Sequence, residues 1–101
     1  MSVQTSVAQE PSHFFMDGNK LYELCKEDHP VCIGYLMGLS DLQAVLQRDG
    51  HLPKWACTPD NLVTPQLRDI AVKHLETYPN LRHYAAPIIM LSVLRETFPC
   101  E

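Results

Sequence analysis

No apolar run in this chain approaches the roughly 20 residues that a membrane-spanning helix needs. Basic residues are few: eight Lys and Arg against twelve Asp and Glu leave a net charge of -4, and the eight are scattered. Nucleic acid and anionic membrane surfaces both call for a clustered basic face, so neither is an expected partner. Glycine-rich phosphate loops are missing, because Gly34 and Gly38 fall inside a helical pattern rather than at its start. Closely spaced Cys-x-x-Cys or Cys/His pairs are missing too. Cys25 and His29 are near in sequence, but Pro30 follows at once, and no metal site is expected. Nothing resembles the strained elbow that carries a catalytic serine. Ser40-Asp41 with a distant His74 makes a poor triad, and His83 beside Arg82 reads as packing. The expectation is a protein that is not an enzyme and carries no cofactor. No strand alternates and no repeat recurs.

What is present is a short chain, 46% hydrophobic, with four cysteines. An even cysteine number at this length points to two disulfides and an oxidising compartment, and paired cysteines leave no thiolate for nucleophilic catalysis. Residues 1–13 are polar and read as a disordered leader. Ser6-Val7-Ala8 before Gln9 places small residues where a signal peptidase cuts, without the charged and apolar parts of an export signal. Either the tail of such a signal or an ordinary polar leader fits. Residues 14–101 form one domain.

The expected fold is all-α, a small bundle of about four helices stapled by disulfides. Asp17 caps a first helix over 18–27, with Leu21, Tyr22, Leu24 and Cys25 inward. Pro30 starts a second helix, running to Arg48 with a stripe of Val31, Tyr35, Leu39, Leu42 and Leu46. Gly34 and Gly38 share one face of it. Glycine in a helix costs up to about 1 kcal/mol relative to alanine, so a second backbone should come close there, from a neighbouring helix or from another copy of the chain. Asp49-Gly50 ends this helix. The stretch from His51 to Val63 is a long loop, and long ordered loops are often functional. Thr64 and Pro65 open a third helix as cap and first residue, with a stripe of Leu67, Ile70, Ala71, His74, Leu75 and Tyr78. A fourth runs over 83–98, with Ile88, Leu91, Val93, Leu94 and Phe98 inward and Pro87 in its first turn.

Four cysteines allow three pairings. A hairpin of the first two helices brings Cys25 to Cys32. Helix two then carries the chain about 27 Å away, where Cys57 precedes helix three and Cys100 follows helix four. An up-down bundle therefore ranks Cys25–Cys32 with Cys57–Cys100 first, unless the 50–63 loop reverses helix three.

The ordered set of residues resembles a known family. It runs through Gly18, Leu21 and Cys25 to Cys32-x-Gly34-Tyr35-x-x-Gly38-x-x-Asp41. It continues with Cys57-x-Pro59, Thr64-x-Gln66-Leu67-Arg68, Leu75-x-x-x-Pro79 and Arg82-His83, and ends in Phe98-Pro99-Cys100. This is similar to the immunity proteins of type VI secretion amidase effectors, the Rap/Tai immunity family, over about residues 14–101. Only Pro87 comes later than that pattern implies. The resemblance implies a periplasmic helical protein of a Gram-negative bacterium, often a homodimer. It would bind a cognate peptidoglycan amidase and block its active site.

Blocking a cleft needs a rigid scaffold and a protruding element. The loop from Asp49 to Asn61 is the best such element, with His51, Lys54, Trp55, Asp60 and Asn61 as contact candidates. Trp55 has a second reading, folded back over the core beside Cys57. The rival function is a small periplasmic chaperone or stress protein. That would call for clustered histidines, and the five histidines here are dispersed.

Overall fold

The computed structural model describes residues 13–101; residues 1–12, with the Ser6-Val7-Ala8 motif, lie outside the described residues. Among the described residues four α-helices follow one another: α1 (Gly18–Lys26), α2 (Pro30–Arg48), α3 (Thr64–Thr77) and α4 (Ala86–Thr97). A single 3-10 turn, Pro79–Leu81, joins the last two. Among the described residues the only extended pairing is an isolated bridge between Asp17 and Ala85. The all-α expectation holds, and so does the first-ranked pairing: the disulfides are Cys25–Cys32 and Cys57–Cys100.

Each helix start has a local cause. Asp17 Oδ1 accepts from Lys20 N at 2.8 Å, and His29 Nδ1 accepts from Val31 N at 3.1 Å. These side chains satisfy N–H groups that lack partners in a first turn. Asp28, at φ 58, makes the left-handed step that separates α1 from α2. Thr64 proves to be the first residue of α3 rather than its cap. Val63 stands at the cap without a side-chain acceptor, and Gln66 Oε1 reaches back to accept from Val63 N at 3.2 Å. Helix α4 begins three residues later than expected, at Ala86, so Pro87 does lie in the first turn, where its missing N–H is harmless.

Helix α1 lies antiparallel to α3. Tyr22 Oη donates to Glu76 Oε2 at 3.3 Å, and Arg82 stacks over the Tyr22 ring at 4.1 Å. At the other end Arg68 Nε sits 3.2 Å from Asp28 Oδ1. The core between the helices holds Leu21, Cys25, Cys32, Leu36, Leu67, Ala71, Leu75, Ile89, Met90, Val93 and Leu94. Burying side chains of this size contributes about 1.5–3 kcal/mol each, before chain entropy is set against it.

Two helix faces differ from expectation. Helix α2 turns Cys32, Leu36 and Gln43 fully inward, while Val31 and Leu42 are exposed. The disulfide to the buried Cys25 rotates the helix by about a quarter-turn from the all-apolar stripe. Tyr35 still packs against the core, and burial pushes its hydroxyl above the ordinary tyrosine pKa. On α4, Ile89 and Met90 are buried, whereas Ile88 is 62% exposed. The run Ile88-Ile89-Met90-Leu91 is apolar throughout, so periodicity alone cannot choose its inner side.

Within the single chain the close backbone approach lies at Gly18, not at Gly34 and Gly38. A Cβ there would stand 2.7 Å from Arg82 O and 2.6 Å from Ile89 Cδ1. Gly18 N donates to Tyr84 O at 3.0 Å and Asn19 N to Arg82 O at 2.8 Å, so the approach is fixed by hydrogen bonds. Added Cβ atoms at Gly34 and Gly38 would meet nothing within 4 Å. Gly18→Ala should therefore cost about 1–3 kcal/mol through overpacking. Gly34→Ala should leave the stability of the single chain unchanged or raise it by up to about 1 kcal/mol. Urea unfolding of both variants under monomeric conditions checks this; equal destabilisation would contradict it.

Candidate functional site

Residues 49–63 contain no helix, and they do not stand away from the body. The segment doubles back along the second half of α2. Gly50, at φ 81, makes the reversal. His51 N and Leu52 N both donate to Leu46 O, at 2.8 and 3.1 Å. Further on, Leu62, Val63 and Thr64 lie against Met37, Ser40 and Asp41, lining a hollow of about 220 Å³ with Leu67. Helix α3 thus starts beside the middle of α2, not beyond its end.

The loop is tied at its waist. Gln47 Oε1 accepts from Trp55 N at 3.0 Å, from Ala56 N at 3.3 Å, and from Gln43 Nε2. Gln43 itself is buried. One amide oxygen therefore receives three N–H donors and replaces the partners that two loop N–H groups lack. Trp55 is half-buried. Its Nε1 donates to Leu91 O at 2.8 Å, and the Arg95 guanidinium covers its ring at 4.4 Å. Cys57 N donates to Phe98 O at 2.8 Å, beside the bridge to Cys100.

The waist divides the five candidate contact residues. His51 and Lys54 are exposed on a first tip, beside the end of α2. Asp60 and Asn61 are exposed on a second tip, before α3. Trp55 sits between, folded onto α4 as its second reading had it. Lys54 borders a hollow with Gln43, Gln47 and Thr58, whereas Asn61 borders another with Leu62, Gln66 and Phe98. The five side chains do not form one cluster.

Gln43 and Gln47 were missed from sequence. Their only signal is the spacing of two amides four apart on α2, one of them at an inward position that apolar patterning would give to a leucine. Ser40 and Asp41 line the hollow at α3's start, while His74 lines others between α3 and α4. All four cysteines are paired. Among the described residues no group of three His, Cys, Asp or Glu is placed to hold a metal ion.

Gln47→Ala should cost about 1–3 kcal/mol, because it leaves partly buried N–H groups without an acceptor. Gln47 is used here only as an acceptor, so Gln47→Glu should keep the loop in place. Trp55, the single tryptophan, reports on this: its fluorescence should shift to longer wavelength in the alanine variant and not in the glutamate variant.

Comparison with known proteins places this arrangement. The family model for Rap1a immunity proteins matches residues 17–100. Searches of curated proteins and of solved structures return no match. The matched span takes in all four helices, the tied loop and both disulfides, and the chain belongs to the Rap1a immunity protein family.

Proposed function

We propose that this protein binds a cognate type VI secretion amidase in the periplasm and blocks its cleavage of peptidoglycan peptides. The observation that carries this reading is the loop of residues 49–63, exposed at two tips and fixed at its waist by Gln47 and the Cys57–Cys100 bridge. Tips held in place by a tied loop lose little entropy when a partner docks on them. His51, Lys54, Asp60 and Asn61 make the contacts, and Trp55 holds the loop between them. Two disulfides suit an oxidising compartment, and no helix among the described residues is long and apolar enough to cross a membrane. The chain acts by occupying its partner, not by catalysis.

The same protein forms a homodimer through α2. Val31, Gly34, Gly38, Leu42 and Val45 lie on one outer face of that helix, all exposed. No other part of the described chain comes within 4 Å of a Cβ at either glycine. A second α2 crossing there would bury the apolar residues and bring two backbones close, as an isologous contact requires.

Co-purification with its cognate amidase should give a stable complex, and the purified protein should stop that enzyme lysing cell walls. Asp60→Arg combined with Asn61→Arg should weaken the complex at least about tenfold with the melting temperature unchanged. An amidase that ignores the wild-type chain would sink the proposal. For the dimer, sedimentation should show two copies in the wild type and one in Leu42→Glu, with the helical signal intact; a wild-type monomer at high concentration overturns it.

A further inference from the structure

The two disulfides occupy opposite environments. Cys25 and Cys32 are each 0% exposed and belong to the core with Leu21 and Leu36. Cys57 is exposed and Cys100 is partly so. Thiol–disulfide exchange needs a thiolate to reach a sulfur atom, so access separates the two bridges before any difference in redox potential matters.

They also hold different things. The inner bridge joins α1 to α2 inside the core. The outer bridge holds the loop's second tip. Among the described residues, Thr58 to Asn61 make no hydrogen bond to a helix, and the turn there is closed locally by Leu62 N donating to Pro59 O at 3.2 Å. Ahead of that tip stand only Cys57 N on Phe98 O and the bridge itself. The first half of the loop is held separately, by Gln47 on Trp55 and Ala56 and by Trp55 on Leu91.

We propose that Cys57–Cys100 is a thiol-exchange site, opened by a dithiol reductant while Cys25–Cys32 stays closed, and that its opening frees the second loop tip alone. The reductant's thiolate attacks Cys57 Sγ. The Cys57–Cys100 bond breaks, and Cys100 leaves as a thiolate that takes a proton from water. The second thiol of the reductant then displaces Cys57 from the mixed disulfide. The protein gains two electrons and two protons, and the reductant becomes a disulfide. The fold survives because the core and the inner bridge are untouched. Oxidation restores the tip. This concerns the chain's own loop and stands whether or not the partner is an amidase; if it is, exchange would set how firmly Asp60 and Asn61 are presented.

The test uses the full chain and dithiothreitol. After timed exposure, free thiols are alkylated and located by mass spectrometry, while helical circular dichroism, Trp55 fluorescence and cleavage by an aspartate-directed protease are followed. Cys57 and Cys100 should be labelled at least about tenfold faster than Cys25 and Cys32. Cleavage at Asp60 should rise together with that labelling, with the helical signal and the Trp55 emission unchanged. Cys57→Ser with Cys100→Ser should show the same cleavage without reductant. Simultaneous opening of both bridges, loss of the helical signal, a shifted Trp55 emission, or unchanged cleavage at Asp60 in either sample would overturn the proposal.

Discussion

The Cys25–Cys32 bridge sets the rotation of the longest helix, and most of the molecule follows from that angle. Cys25 belongs to the inner side of α1, so Cys32 must face inward as well. Once it does, Leu36 and Gln43 face inward too, at four- and seven-residue steps. Gln47, one turn past Gln43, then meets the returning loop. The same rotation turns Val31, Gly34, Gly38, Leu42 and Val45 outward together. One covalent link thus decides which side of α2 belongs to the core, which holds the loop and which is left open.

The second organising contact is backbone to backbone. Near Gly18 the chain before α1 and the link before α4 exchange hydrogen bonds through Gly18 N, Asn19 N and Ala86 N, the last donating to Met16 O at 2.9 Å. No side chain fits between them. Arg82 completes this corner: its Nε donates to Leu75 O at 2.7 Å while its guanidinium covers Tyr22. The motif residues Gly18, Gln66, Arg68 and Arg82 therefore serve the scaffold, each by capping or joining backbone segments.

The helices were legible because their punctuation is strong. Asp17, Pro30, Gly50, Pro65, Pro79 and Pro99 each mark an end through a local rule that distant packing does not overturn. Faces were less legible. An apolar stripe on α2 could be read a quarter-turn away from the true one, because a cysteine and a buried glutamine take inward places that hydrophobicity would assign to Val31 and Leu42. The disulfide pairing came out right, and so did the end of the bundle at which Cys57 meets Cys100. Cys57 lies beside Gln43, Gln47 and Arg48 at the far end of α2, where α4 also ends; what the bundle argument did not foresee is the return of Leu62, Val63 and Thr64 along α2 to Met37. Of the candidate site, the loop was visible as a stretch rich in turn residues. What ties it down was not, since Gln47 lies outside the loop and finds Trp55 and Ala56 only in three dimensions.

The amide oxygen of Gln47 bonds backbone N–H groups, which every residue but proline carries. The loop's path is therefore indifferent to most side chains at its tips. Positions 51, 54, 60 and 61 can change in size and charge without asking the core to repack. The fold thus keeps two things apart: a frame that tolerates no drift at Gly18 or Cys25, and outward-facing tips whose side chains can be rewritten one at a time.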